Sequence, residues 1–345
     1  MTEGPNTVKK VAKIVGGLLL ALVVIAGGTF MWGKSAAASR LAQTVETHRV
    51  DFPVPFPLTE TEIAELRAAQ AAPVDAGTEA QAMGEADFAK VALERAIERG
   101  KHLVESRYAC IECHGKDFGG GTMIDAPPIG KILGPNITSG KGSRVARYSM
   151  ADWDRIVRHG VLPDGKPAAM PSIDFVAMTD HELSDIVAYV KSVPAVEKEV
   201  PKPTLGPVGT MLIATGKLPL SAFEIKEHQA AHVVEPPAPA VNTDFGRHLV
   251  GVCFGCHRAN LEGGLVPGGD PSWPAAANLT PHADGIAGWK FEDFARALKE
   301  GKRPDGAELR QPMAAMKGYA AKMTDTELAA MWAYLQTVPA VPKPK

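Results

Sequence analysis

The first hydrophobic block of the chain has no polar rhythm. Residues 14–32, IVGGLLLALVVIAGGTFMW, run for 19 positions without a charge. A helix of that length rises about 28 Å, close to the hydrocarbon thickness of a bilayer. Lys9, Lys10 and Lys13 stand just before it, and basic residues mark the cytoplasmic side of a span. The block predicts a transmembrane anchor over residues 14–33, a cytoplasmic N-terminus over 1–13, and everything later on the extracytoplasmic, periplasmic side. A cleaved signal peptide competes, since Ala36-Ala37-Ala38 offers a cleavage site. The apolar run is longer than the usual signal-peptide core.

Beyond the anchor the apolar positions take a helical period. Leu183, Ile186, Val187 and Val190 fall on one face of a helix, as do Leu328, Met331, Trp332 and Leu335. Thr179 with Glu182, and Thr324 with Glu327, read as capping boxes at the two starts, and Pro194 and Pro339 stop both helices. A third box, Thr59 with Glu62, predicts a helix over residues 59–71. Middle helices are expected near residues 152–159 and 291–300. Tyr189 and Tyr334 read as helix-packing residues rather than redox relays. No stretch alternates long enough for a strand, so the expected fold class is all-α.

These helices belong to an internal repeat. MTDHELSDIVAYVKSVPAV closes one half and MTDTELAAMWAYLQTVPAV the other. Gly100-Lys101-His102-Leu103-Val104 matches Gly246-Arg247-His248-Leu249-Val250. Gly119-Gly120 matches Gly263-Gly264, Asn136-Ile137-Thr138 matches Asn278-Leu279-Thr280, and Pro163-Asp164-Gly165 matches Pro304-Asp305-Gly306. The repeat gives two domains, 86–195 and 241–340. A spacer, 34–85, precedes the first. A linker with seven prolines, 196–240, joins the two and reads as semi-extended. Within it, Met211-Leu212-Ile213 suits packing on a domain or contact with the membrane.

Composition narrows the chemistry. A net charge of -2 offers no basic field for nucleic acid. The chain has four cysteines, Cys110, Cys113, Cys253 and Cys256, set 143 residues apart in two Cys-x-x-Cys-His units. A thioredoxin-like dithiol needs a βαβ setting and no following histidine. Zinc needs four ligands, and each unit supplies three at most. Covalent haem fits: two thiols join the vinyl groups and the adjacent histidine takes the iron. His114 and His257 are then the proximal ligands of two haems c.

The sixth ligand separates carrier from catalyst, because a methionine thioether raises the potential and closes the iron. Met170 and Met313 each lie 60 residues after the first cysteine of their unit. Met316, three residues beyond Met313, is an alternative. Met178, Met323 and Met331 read as core filler. His102, His159 and His282 read as surface or packing residues.

The paired Cys-x-x-Cys-His units, the Asn-Ile/Leu-Thr tripeptides, the Pro-Asp-Gly turns and the Met-Pro-Ser after Met170 resemble membrane-anchored dihaem cytochromes c of class I type. They are also similar to the cytochrome subunits of membrane-bound alcohol and sugar-acid dehydrogenases. The resemblance covers roughly 90–340. It implies two class I domains, with His114 and Met170 on the first iron and His257 and Met313 on the second. It implies one-electron transfer, not catalysis, between a dehydrogenase or quinol-oxidising complex and an oxidase or soluble carrier. Two departures stand out. The dehydrogenase subunits usually carry three haems, and Pro312-Met313-Ala314 replaces Met-Pro. The competing reading is a dihaem, peroxidase-like enzyme with one open iron.

Overall fold

The computed structural model describes residues 5–71, 83–266, 269–270 and 272–344. Helix α1, Pro5–Ala42, carries the apolar block and runs nearly three turns past it. Its apolar part, from Ala12 on, is long and apolar enough to cross a membrane. The side chains from Ile14 to Trp32 contact little of the protein. From Gly33 on the helix turns protein-facing. A Cβ on Gly33 would sit 2.3 Å from the Met211 sulfur, and Ala37 is buried with Ile213 and Leu220. Helix α2, Glu60–Ala71, opens on the Thr59/Glu62 box.

The first domain begins with α3, Glu85–Leu103, whose buried stripe is Phe88, Ala92, Ala96, Gly100 and Leu103. A π-helical turn, Val104–Tyr108, leads to Cys110 and to the single turn α4, Ile111–His114. The domain then departs from the all-α expectation. Strands β1, Gly121–Ala126, and β2, Gly130–Gly134, form an antiparallel hairpin. The short β3, Thr204–Leu205, adds to β2. The hairpin escaped sequence reading because β1 does not alternate cleanly, its register slipping between Thr122 and Ile124, and β2 is only five residues long with glycine at both ends. Helix α5, Met150–His159, and helix α6, Asp180–Ser192, complete the domain. The helical proportion still dominates the whole molecule.

The linker is more structured than a spacer. Met211 to Ile213 lie in α7, Pro207–Ala214, which starts on proline and packs along the end of α1. A short α8, Ser221–Glu224, follows. The linker then lies over the start of α6, where Asp180 and His181 donate backbone hydrogen bonds to Val233 and Val234.

The second domain repeats the frame. It comprises α9, Thr243–Val250; α10, Phe254–His257; α11, Phe291–Glu300; α12, Met313–Ala320; and α13, Asp325–Leu335. In each domain the first and last helices cross at a glycine. A Cβ on Gly100 would fall 2.0 Å from the Asp185 carbonyl oxygen, and one on Gly246 would fall 2.0 Å from that of Ala330. The next nearest atoms are the Cβ atoms of Tyr189 and Tyr334, so both tyrosines pack at the crossings. Each domain has its own apolar core, which includes Met178 in the first and Met323 and Met331 in the second.

Candidate haem sites

Each Cys-x-x-Cys-His unit is wound into one helical turn, which puts its cysteines and histidine on adjacent faces. None of the four cysteines pairs in a disulfide, and each is half-buried. Burial pushes the thiols of Cys110 and Cys253 up to about 12. The histidines are held identically. His114 Nδ1 lies 3.0 Å from the Pro135 carbonyl oxygen, and His257 Nδ1 lies 2.8 Å from that of Ala277. A carbonyl can only accept, so Nδ1 carries the proton and Nε2 keeps its lone pair for a metal. Burial lowers the pKa of both imidazoles, against the pull of those carbonyls, which favours the neutral ligand form. These residues suit covalently held haem, whose iron would take the free Nε2.

The tripeptides noted in the sequence lock each loop beside its histidine. Asn136 Oδ1 accepts from Thr138 N and Oγ1, while its amide donates to the Val196 and Lys198 carbonyls. Asn278 repeats this with Thr280 and the Val341 carbonyl. Each clamp ties the loop after the motif to the chain leaving the closing helix. The Pro-Asp-Gly turns close short bridged loops, Val161 with Pro167 and Lys302 with Glu308. Those loops lead to the candidate methionines.

The methionines are placed less symmetrically. Met170 is half-buried and packs on the same apolar cluster as Cys110 and Ile111. Met313 is half-buried in the first turn of α12, and Met316 is half-buried one turn on. The second cluster contacts Cys253 and Phe254 but neither of these methionines.

The two motifs also face the opposite domain. Glu112, between the first pair of cysteines, accepts a hydrogen bond from Tyr319 of α12. At the matched place in the second motif, a Cβ on Gly255 would lie 1.7 Å from Asp174 Oδ1 of the first domain. Asp174 and Tyr319 both lie between the candidate methionine and the closing helix of their domain. Burial, with Glu224 nearby, pushes Asp174 up to about 6.

Sequence reasoning missed the junction between the domains. His248 Nε2 lies 2.8 Å from Glu182 Oε1, and His102 Nε2 lies 3.0 Å from Glu327 Oε1. Each histidine comes from the first helix of one domain and each glutamate from the closing helix of the other. Arg107 is buried between them, paired with Glu182 and 3.4 Å from Glu327. The signal was present: both the histidines and the glutamates recur in register. His282 is a half-exposed partner of Asp284, as expected of a surface residue. His159 is fully buried among other histidines.

Two histidine-bearing Cys-x-x-Cys turns in one mostly helical chain define a class of protein with covalent haem domains. The comparisons name it. The cytochrome c family matches residues 245–339, and the family of cbb3-type cytochrome c oxidase subunit III matches residues 95–190. The chain therefore carries two cytochrome c domains. It is similar to the fructose dehydrogenase cytochrome subunit of Gluconobacter japonicus, 28% identical over 77% of this chain and 57% of that one. It is similar to the cytochrome c subunit of a quinone alcohol dehydrogenase of Gluconacetobacter polyoxogenes, 28% identical over 68% of this chain and 54% of that one. A "Diheme cytochrome c-type" protein of Cereibacter sphaeroides is 24% identical over 67% of this chain and 82% of its own length. The chain thus spans a little over half the length of the first two relatives.

Proposed function

We propose that this chain is a membrane-anchored dihaem cytochrome c of class I type that relays single electrons on the extracytoplasmic side of the membrane. Its donor is a dehydrogenase or quinol-oxidising complex, and its acceptor an oxidase or soluble carrier. The observation that carries this reading is the twice-repeated geometry of His114 and His257, each with Nδ1 held by a carbonyl and Nε2 free. Bound haem would supply one-electron chemistry, and the protein supplies burial, orientation and axial ligands. Met170 is assigned to the first iron and Met313 to the second. The similarity to dehydrogenase cytochrome subunits supports a dehydrogenase donor. Two motifs, two domains and a dihaem relative whose length the chain largely fills support two haems. The exposed apolar face of α1 supports anchoring, which keeps the redox domains near a membrane donor.

The test is a haem-to-protein ratio with a carbon monoxide titration of the reduced protein. Two haems c per chain and no spectral shift are expected, since both irons are closed. Met170→Leu should then open the first iron and Met313→Leu the second. A carbon monoxide shift in the unsubstituted protein would favour the peroxidase-like alternative. A shift in Met316→Leu and none in Met313→Leu would move the second ligand to Met316.

A further inference from the structure

A second cluster of ligating groups lies away from both cysteine motifs. His48, Asp154, His159 and His232 each turn one ligand atom inward, and these four atoms all lie within 4.8 Å of one another. We propose that these four residues form a site for a divalent transition metal, with zinc the ion that fits best. His48 Nε2 is 3.6 Å and His159 Nε2 3.7 Å from Asp154 Oδ2, and His232 Nε2 is 3.7 Å from Oδ1. His232 Nε2 and His159 Nε2 are 3.1 Å apart. Ligands at about 2.0–2.1 Å from a tetrahedral zinc ion stand about 3.3 Å from one another. Three of the observed separations, 3.1, 3.6 and 3.7 Å, bracket that edge, and the ligand atoms all stay within 4.8 Å of one another.

The surroundings favour a cation at the centre. Asp154 is fully buried, its Oδ2 has no hydrogen-bond partner, and both nitrogens of His48 are buried and unpartnered. An isolated carboxylate is costly to bury. Asp154 Oδ1 is already bound by Arg158, which also pairs with Asp180, so Oδ2 is the oxygen left free. The two carboxylates and one guanidinium leave a single negative charge, which a divalent ion compensates.

The tautomer of His159 is set from outside. His228 Nε2 lies 3.0 Å from the Ala222 carbonyl oxygen and must donate to it. That leaves His228 Nδ1 as an acceptor, 3.0 Å from His159 Nδ1. His159 therefore carries its proton on Nδ1 and turns a bare Nε2 into the cluster. Metal-bound histidines are oriented in this way by an outer partner.

The repeat shows that the cluster is an addition. The positions in α11 that match Asp154 and His159 are Ala295 and Glu300. The ligands come from three segments: His48 from the chain leaving α1, Asp154 and His159 from α5, and His232 from the linker. Bound metal would clip anchor, first domain and linker together at one point.

The test is elemental analysis of the full-length holoprotein, purified without added metal and rinsed briefly with chelator. About one zinc for every two irons is expected. His48→Ala with His232→Ala should lose the zinc while both haem spectra persist, which separates the site from the haems and from misfolding. His228→Gln touches no metal yet should weaken zinc binding about 10–100-fold in equilibrium dialysis, by releasing the His159 tautomer. Copper or nickel in the same stoichiometry, lost in the same double variant, would uphold the site with a different ion. Zinc that neither copurifies nor binds stoichiometrically on dialysis overturns the proposal. So does zinc retained by the double variant.

Discussion

The two cytochrome domains share a frame and differ where they meet the rest of the molecule. Both cross their terminal helices at a glycine, both hold the motif histidine by a backbone carbonyl, and both lock the following loop with an Asn-x-Thr clamp. The first domain adds a π-helical turn before its motif, where the second has a 3₁₀ turn. The cause is a longer connection: His102 precedes Cys110 by eight residues, whereas His248 precedes Cys253 by five. The hairpin of the first domain is reduced in the second to one bridge, Gly264 with Ala276, among the described residues. Among the described residues, only the first domain packs histidines against the chain leaving α1 and the linker. The repeat thus keeps the frame around each Cys-x-x-Cys-His turn and varies what addresses a neighbour.

Arg107 is the largest break in that symmetry. It lies in the extra turn of the first domain and serves both Glu182 and Glu327. Arg107→Ala leaves two buried carboxylates with one histidine each. Removing one partner of a buried ion pair costs about 3–5 kcal/mol. The expected result is a loss of that size in thermal unfolding, with the domains no longer melting together. Unchanged, coincident melting would mean that the histidines alone hold the junction.

Acid sharpens the same comparison. Burial raises both glutamates, but hydrogen bonds and cationic partners outweigh it. His248 and Arg107 hold Glu182 at about 2, and His102, the Thr324 backbone and Arg107 hold Glu327 at about 2. The ordinary value for both is 4.5. A depressed carboxylate stabilises the folded state above its unfolded value and loses that contribution as pH falls through the folded one. The junction should therefore be fully formed above about pH 4.5 and fail between about 4.5 and 2. For Glu182, the more deeply buried of the two, the linked effect is on the order of 3 kcal/mol. Unfolding followed against pH checks it, and Glu182→Gln should flatten the dependence.

Much of this was legible in the sequence, and the limits are physical. Thr179 with Glu182 and Thr324 with Glu327 announced their helices because capping acts within one turn. The two Cys-x-x-Cys-His turns were legible because their spacing is local. The same glutamates were not legible as junction residues, because each reaches a histidine of the other domain: Glu327 meets His102 from 225 residues away. Capping spends one carboxylate oxygen on Thr179 or Thr324 and leaves the other for the partner domain. His159 looked like packing because its companions, His48, His228 and His232, lie in segments that read as spacer and linker. Proline content described how those segments begin and not where they fold back.

The helix crossings give the smallest effect and the cleanest symmetry test. Alanine in place of Gly100 or Gly246 gains about 1 kcal/mol in helix propensity. Each new Cβ would meet a backbone carbonyl oxygen at 2.0 Å, on a helix that cannot swing aside as a side chain does. Overpacking of this kind costs about 1–3 kcal/mol, so the net change should be destabilising in both domains. The crossings differ in one respect. Asp185, whose carbonyl faces Gly100, also binds Arg99 through its carboxylate at 2.6 and 2.8 Å, whereas Ala330 has no such tie. A helix displaced in the first domain strains that pair and the nearby Glu182 contacts as well. Gly100→Ala should therefore lower the melting temperature of the holoprotein more than Gly246→Ala. Equal shifts would mean that the crossing itself, the element the two domains share, sets the cost.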